Sequence, residues 1–118
     1  MRIIGTGVDI IEIKRVRALA KREPKFLSRV FSKEELLYSM RSKKRWEHLA
    51  VRFAAKEALW KALGKDGVPL SAISVKRDNR GKPTMNLKNL GVPRSWQASI
   101  SLSHSREYAV AYCIVYSK

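Results

Sequence analysis

The sequence predicts an α+β fold in a single domain, with an N-terminal strand, several helices and a C-terminal antiparallel sheet. A β-branched run opens the chain, and apolar residues then recur at helical spacing as far as Leu63. Beyond that point, apolar and polar residues alternate towards the C-terminus. This order of a strand, then helices, then a meander is typical of α+β folds. Because the 118 residues contain no linker or repeat, we expect one domain over residues 1–118.

The first expected element is a strand over residues 3–10, which are rich in β-branched side chains. Gly5, Gly7 and Asp9 share one face of this strand, because side chains alternate with a period of two. The two glycines leave room for another group to approach the backbone beside Asp9. Asp9 has two readings here: an N-cap for the next helix, or one half of a pair of functional carboxylates.

A helix with a basic outer face is expected next. Ile13, Val16 and Leu19 recur at helical spacing with lysines and arginines between them, and Pro24 marks the end. Residues 14–29 contain seven Lys and Arg and one acidic residue. Such a charge run is usually a solvated face, but here it is a candidate docking surface for an anionic partner.

Two more helices follow. Ser32 and Glu35 have the spacing of a capping box at the start of the first one. The longer one is expected over Arg45–Leu63, with Gly64 as its C-terminal stop. Its expected apolar stripe consists of Trp46, Leu49, Ala50, Phe53 and Trp60.

Glu57 breaks the pattern of the long helix. It is only ~40° around the helix from Phe53, inside the apolar arc, where a carboxylate is costly unless it is paired. One reading is a buried ion pair with Lys61, one turn further on. The other reading is a metal ligand or general base. Together with Asp9 it would form a Mg²⁺ site whose six-fold coordination is completed by water and phosphate oxygens.

The C-terminal half is expected to be a sheet. Residues 73–77 and 84–87 form short strands around a turn-rich loop at 79–83. Residues 96–102 alternate as a half-buried strand does, whereas residues 107–116 are apolar on both faces. This last strand should therefore lie inside a sheet or at a contact between subunits.

The net charge, the single cysteine and the lack of long apolar runs limit the classes of protein to which the chain could belong. The chain carries 25 Lys and Arg against 10 Asp and Glu, a formal net charge of +15, which indicates a polyanionic partner. Nucleic acid, a phosphorylated small molecule, an acidic protein and an anionic membrane all qualify. Cys113 is the single cysteine, so the chain has no internal disulfide and no cysteine-based zinc site, and its apolar surroundings predict a buried, inert thiol. Lacking a signal peptide and an apolar run of ~20 residues, the protein is expected to be cytoplasmic.

Four motifs resemble those of the phosphopantetheinyl transferases. Residues 52–64 (RFAAKEALWKALG) match the signature of that family: an aromatic, two small residues, Lys-Glu, and a Lys four residues after the Glu. Residues 7–10 (GVDI), 81–83 (GKP) and 101–105 (SLSHS) match three further motifs in order and spacing. Ser105 stands where threonine is expected, and it keeps the hydroxyl. The chain is similar to the short, single-module type of the family over about residues 1–116.

This resemblance implies an enzyme of fatty acid biosynthesis. It would transfer the 4′-phosphopantetheine arm of coenzyme A to a serine of acyl carrier protein and release adenosine 3′,5′-bisphosphate. Asp9 and Glu57 would be Mg²⁺ ligands, and Lys61 would reach the same phosphates as a third catalytic residue. Glu57, acting directly or through a metal-bound water, is one candidate for the general base.

The resemblance also implies binding residues and an oligomer. The residues implied for coenzyme A are Lys44, Arg52, Lys61, Gly81, Lys82, Pro83, His104 and Ser105. Those implied for the acidic carrier protein are Arg15, Leu19, Arg22, Lys25 and Phe26. The short type forms homotrimers with active sites between subunits, which would suit the doubly apolar final strand and its Cys113. From the residues alone, the hydroxyls and imidazole of 101–105 are open to three readings: a phosphate site, a polar strand end or, weakly, a Ser-His pair.

Two rival classes start from the charge alone. A nucleic-acid-binding module would interleave basic groups with exposed aromatic side chains, whereas the aromatic residues here lie mostly on apolar stripes. It would also leave Asp9 and Glu57 unexplained, because carboxylates repel nucleic acid. A scaffold protein that uses its charge for solubility would not bind coenzyme A.

Overall fold

The computed structural model describes residues 1–64 and 68–118. It confirms the α+β class and the expected order of elements. Within the described ranges the elements are β1 (Arg2–Glu12), α1 (Ile13–Arg22), α2 (Phe26–Val30), α3 (Lys33–Met40), α4 (Arg45–Leu63), a 3₁₀ turn (Leu70–Ala72), β2 (Val75–Arg77), β3 (Pro83–Met85), β4 (Trp96–His104) and β5 (Tyr108–Ser117). Among the described helices, none combines the length and the apolar character needed to cross a membrane.

The N-terminal strand joins the C-terminal ones in an antiparallel sheet of order β1-β5-β4, and β2 and β3 form a separate hairpin. The expectation that the last strand lies inside a sheet is therefore confirmed. Asp9 of β1 lies opposite Ala111 of β5, which lies opposite Leu102 of β4. Two pairs further along, and so on the same face, Ala109 lies opposite His104. Since residues opposite each other share a face, Asp9 and His104 are on the same face of the sheet, on its two outer strands.

The long helix α4 packs directly on this face at the two glycines of β1. A Cβ atom added to Gly5 would lie 2.0 Å from the carbonyl oxygen of Ala62, and one added to Gly7 would lie 1.9 Å from that of Ala58. The group that these glycines admit is thus helix α4 itself. The close approach brings the C-terminal half of α4 against the strand that carries Asp9.

The bounds of α4 are as predicted, and Gly64 ends it with a φ of 62°. The predicted apolar stripe is only partly right, because Trp46, Phe53 and Trp60 are half-buried. The sheet covers one side of the helix, and α1, α3 and β2 contact others, so burial extends well beyond one stripe. Small side chains make this possible, and the buried residues of α4 are Leu49, Ala50, Val51, Arg52, Ala54, Ala55, Lys56, Ala58, Leu59 and Ala62.

The opposite face of the sheet remains open and apolar. Its exposed large side chains include Ile3, Val8, Ile10, Tyr108 and Tyr112. Cys113 lies on the other face of β5, fully buried under α4, so it belongs to the core of the subunit and not to the expected contact between subunits. Burial raises the pKa of its thiol to about 12, which confirms an inert thiol.

Candidate active site

Two carboxylates and a lysine meet where α4 crosses β1. The ammonium of Lys61 donates to Asp9 Oδ1 at 3.3 Å and to the carbonyl of Val8 at 2.9 Å. Glu57, one turn before Lys61, is half-buried beside them. Burial raises the pKa of Glu57, the negative charge of Asp9 raises it further, and Lys61 partly opposes both effects. Below, Asp9, Glu57 and Lys61 are called the carboxylate cluster.

This arrangement corrects the two conservative readings of these residues. Asp9 is not the N-cap of α1, because Glu12 occupies that position. Among the described residues, Lys61 forms its ion pair with Asp9 and not with Glu57. Glu57 is therefore a partly desolvated carboxylate that forms no ion pair within residues 1–64 and 68–118.

Asp9 and Glu57 supply carboxylate oxygens, the type of ligand that Mg²⁺ takes in proteins. Within residues 1–64 and 68–118, no three or more His, Cys, Asp or Glu side chains come together as potential metal ligands. A cation bound by Asp9 and Glu57 would therefore take its other ligands from water or a substrate, as Mg²⁺ commonly does with phosphates. The mutual repulsion of the two carboxylates favours such a cation, since it would relieve the charge that raises the Glu57 pKa.

A buried arginine lies on another side of α4. Arg52 is only 3% exposed, and its Nη1 donates to the carbonyl of His48 at 3.0 Å. The ring of Tyr38 covers the guanidinium, with the Cζ atom 4.8 Å from the ring centroid. The Nε atom has no hydrogen-bond partner within the described structure. Burial lowers the pKa of Arg52, while the charge of Glu35 opposes the shift. A desolvated cation with donor capacity to spare is suited to bind an anion.

A second buried cation, Lys56, has three hydrogen-bond acceptors around its ammonium group. Its ammonium donates to Glu35 Oε1 at 2.5 Å, to the carbonyl of Val30 at 2.7 Å and to that of Leu70 at 3.0 Å. The same Glu35 completes the predicted capping box of α3 and accepts a hydrogen bond from the amide of Val75 at 3.0 Å. Sequence analysis missed this pair, although the capping role of Glu35 was a usable signal. It ties the start of α3 and the β2–β3 hairpin to α4.

The hairpin loop carries the Gly81-Lys82-Pro83 motif at the protein surface. Gly81 adopts a φ of 81°, and its carbonyl accepts a hydrogen bond from Arg77 Nη1 at 2.7 Å. Asp78 Oδ1 accepts from the amide of Lys82 at 2.9 Å. These bonds fix the backbone of the loop and leave the Lys82 side chain exposed. Lys44 is likewise exposed, at the N-cap of α4.

The SLSHS motif forms the end of β4 and the turn into β5. Ser105 Oγ accepts from the amides of Glu107 at 3.3 Å and Tyr108 at 3.1 Å, so this hydroxyl holds the turn. The Nδ1 atom of His104 lies 3.3 Å from the backbone oxygen of Ser105, so its partner is the backbone and not the hydroxyl. The pair therefore lacks the geometry of a catalytic Ser-His couple, and both residues remain exposed.

The predicted carrier-binding residues lie on and just after α1. The basic side chains of Arg15, Arg22 and Lys25 are exposed, and Leu19 is half-buried. Phe26 is half-buried too, packed edge-on against two further rings. Its ring centroid lies 6.3 Å from that of Phe31 and 5.8 Å from that of Phe53. The apolar centre expected for this surface is therefore partly built into the core.

The predicted site residues thus fall into two groups. The carboxylate cluster forms at β1, whereas Arg52 is about 140° around α4 from Glu57. His104 belongs with Arg52, because both lower the pKa of His48 by their charges. His48 is half-buried against Tyr38. A groove of about 910 Å³ elsewhere, between β3 and the start of β4, includes none of the predicted site residues.

Comparison with known proteins gives concordant matches. The family model of the 4′-phosphopantetheinyl transferase superfamily matches residues 5–113. A holo-[acyl-carrier-protein] synthase of Clostridium tetani is 40% identical over 120 residues, which cover 96% of this chain and 95% of that protein. The crystal structure of a holo-(acyl-carrier-protein) synthase from Bacillus anthracis in complex with CoA (3′,5′-ADP) has a TM-score of 0.86 and 35% identity, with 100% of each chain covered. That of the Helicobacter pylori synthase in complex with coenzyme A has a TM-score of 0.77 and 26% identity, covering 94% of this chain and 99% of that one.

Proposed function

The chain belongs to the 4′-phosphopantetheinyl transferase superfamily and is an enzyme of that family, and on this premise we propose its reaction. The protein transfers the 4′-phosphopantetheine arm of coenzyme A to a serine of acyl carrier protein. The serine oxygen attacks the phosphorus that carries the pantetheine arm, and the bond from that phosphorus to the bridging oxygen breaks. Adenosine 3′,5′-bisphosphate leaves with the bridging oxygen. The names of the relatives, and the coenzyme A bound in two of the similar structures, support this assignment.

The carboxylate cluster is the observation that carries the chemical part of the proposal. Asp9 and Glu57 would hold Mg²⁺, and the ion would supply positive charge to offset the charge of the pyrophosphate. Lys61 lies within hydrogen-bond distance of Asp9, so a short movement brings its ammonium to the same phosphates. Glu57, acting directly or through a metal-bound water, is also the candidate for the group that accepts the serine proton.

The adenosine end of coenzyme A binds at the second group of residues. Arg52 offers its guanidinium and His104 its imidazole to the 3′-phosphate, together with Lys44 and the turn at Ser105. The Gly81-Lys82-Pro83 loop lies against the nucleotide. Because Arg52 and Glu57 are on different sides of α4, a complete site forms between two subunits of a homotrimer. The open apolar face of the sheet, with Val8, Ile10 and Tyr112 exposed, supplies a surface for that contact.

The acidic acyl carrier protein docks on α1. Arg15, Arg22 and Lys25 are exposed there, and the half-buried Leu19 and Phe26 lie among them. Opposite charge brings the carrier to this surface, and a small apolar centre holds it. The organisation of residues 1–118 as one domain, the role in fatty acid biosynthesis and the cytoplasmic location stay predictions.

One titration tests the proposed function. Coenzyme A is added to the purified protein with and without Mg²⁺, and the same preparation is assayed for transfer to apo-acyl carrier protein. We expect coenzyme A to bind, and transfer to require Mg²⁺. Asp9→Asn is the matched variant, which should retain the fold and lose the Mg²⁺-dependent transfer. Binding of an oligonucleotide without binding of coenzyme A would contradict the proposal and favour a nucleic-acid-binding protein.

A further inference from the structure

His48 shares an aromatic neighbour with the buried arginine. Its ring contacts Tyr38 edge-on, with 5.4 Å between the centroids and an interplanar angle of 73°. The same Tyr38 ring covers the Arg52 guanidinium, which donates to the carbonyl of His48. The imidazole and the guanidinium therefore flank one side chain of α3. His48 also lies about 180° around α4 from Glu57, on the side away from the carboxylate cluster.

The charges that face His48 are mostly positive. On α4 they are Arg52 and the acidic Glu47, on β2 the residue is Arg77, and on β4 it is His104. Burial lowers the pKa of His48, and the three cationic residues lower it further, with Glu47 alone opposing them. Burial and the neighbouring positive charge therefore disfavour protonation of the imidazole in the free protein. Arg52, Arg77 and His104 come from three different elements of the fold, and each is close enough to His48 for its charge to affect the imidazole.

We propose that His48 is a further specificity-determining residue for the 3′-phosphate of coenzyme A. The inference rests on the proposed function. A phosphate dianion adds negative charge beside Arg52 and Arg77, and in its presence the His48 ring takes a proton from solvent and donates a hydrogen bond to the phosphate. The second ring edge stays against Tyr38, which fixes the orientation of the imidazole. His48 thus distinguishes coenzyme A from 3′-dephospho-coenzyme A, which carries no charge at this position.

The proposal has a proton-linked consequence. A bound dianion raises the pKa of His48 from its lowered value, so binding takes up a proton between the two pKa values. The contribution of His48 to affinity therefore grows as the pH falls towards the free-state pKa, and it fades as the pH rises above the bound-state pKa. Binding of 3′-dephospho-coenzyme A shows no such contribution.

Calorimetric titration of the full chain tests this with both ligands. The proteins are the wild type, His48→Gln and His48→Phe, in buffers of different ionisation heat at about pH 6 and about pH 8. We expect both variants to lose the proton uptake that accompanies coenzyme A binding. At the lower pH, their preference for coenzyme A over 3′-dephospho-coenzyme A should fall by about tenfold, the effect of one hydrogen bond to a charged group. Affinity for 3′-dephospho-coenzyme A should remain at the wild-type value.

Two controls separate the outcomes. Arg94→Gln removes an exposed cation near the opposite end of β4 and should change none of these quantities. His48→Phe keeps an aromatic ring against Tyr38, so loss of preference in His48→Gln alone would assign His48 a packing role and overturn the proposal. Unchanged preference and proton uptake in both folded variants would overturn it as well, while the proposed function stands. Failure of the wild type to bind coenzyme A would instead reject the proposed function and this inference with it.

Discussion

Lys56 and Glu57 are neighbours in sequence on α4, yet their surroundings are opposite. Lys56 is fully buried and donates to Glu35 and to two backbone carbonyls, so its charge is completely compensated. Glu57 is half-buried beside a second carboxylate, and the pKa of its own carboxyl is raised. A compensated buried charge holds a structure together, whereas an uncompensated one retains the capacity to bind something else. Lys56 thus belongs to the side of the helix that stabilises the fold, and Glu57 to the side that is proposed to bind the metal.

The largest expected effect comes from breaking the compensated pair. Lys56→Met leaves Glu35 as a buried, unpaired carboxylate, and we expect a loss of about 3–5 kcal/mol in the free energy of unfolding. The loss is measured by urea unfolding, with Lys43→Met at an exposed lysine as the matched control. Adding Glu35→Gln should recover part of the loss, because the amide still accepts a hydrogen bond while the buried charge is gone. An unchanged midpoint for Lys56→Met would contradict a structural role for the pair.

Neutralising the open cluster should affect turnover more than stability. Glu57→Gln and Asp9→Asn should each lower Mg²⁺-dependent transfer by about 100-fold or more, since each removes one of the two charges proposed to hold the metal. A raised carboxyl pKa disfavours the folded state once the pH exceeds the ordinary value of that group. Glu57→Gln should therefore be slightly more stable than the wild type at neutral pH, and this gain should vanish below about pH 4. Near wild-type turnover in saturating Mg²⁺ would refute the assignment.

Mixing subunits examines whether the two sides of α4 serve different active sites. Inactive Glu57→Gln and inactive His104→Ala proteins are unfolded together and refolded as a mixture. If each site takes its carboxylate cluster from one subunit and its phosphate-binding residues from the next, some interfaces combine two intact halves. Activity should then return to a fraction of the wild-type rate. No recovery despite demonstrated subunit exchange would count against a shared site, and a monomer by light scattering would count against the trimer.

The smallest expected effect concerns the exposed basic surface of α1. Reversing Arg15 and Arg22 to Glu should weaken carrier binding by roughly tenfold, and leave coenzyme A binding unchanged, because exposed charge pairs each contribute little. Wild-type affinity for the carrier should also fall with added salt, which screens exposed charges over ~8–10 Å. Arg94→Glu provides a charge reversal away from this surface. Equal loss of both substrates would mean that α1 is not the docking surface.

Local patterns in the sequence predicted the elements well, because their signals are short-range. The capping box at Ser32 and the left-handed Gly64 both lie where the residues placed them. The meeting of Asp9 with Lys61 could not come from periodicity, since it depends on how closely α4 packs at Gly5 and Gly7. That contact joins residues more than fifty positions apart, and only the resemblance linked them in advance.

Burial was the poorer prediction, for a related reason. A single apolar stripe is expected for a helix that is covered on one side only. The sheet and several other elements cover α4 at once. Lys56 therefore enters the core through a pairing with Glu35 from a different helix, which no pattern within α4 reveals. His48 is another example, since Tyr38 of α3 covers it and no pattern within α4 indicates that contact.

The affinity for Mg²⁺ tests most directly whether the Glu57 carboxylate binds a metal ion. Mg²⁺ is titrated calorimetrically into wild type, Glu57→Gln and the charge-matched exposed-site variant Glu34→Gln, each saturated with coenzyme A. We predict that the wild type and Glu34→Gln bind the ion with equal affinity, and that Glu57→Gln binds it at least about tenfold more weakly. Equal Mg²⁺ affinity in all three proteins would contradict the central claim, which is that the uncompensated carboxylate of Glu57 on α4 binds the metal.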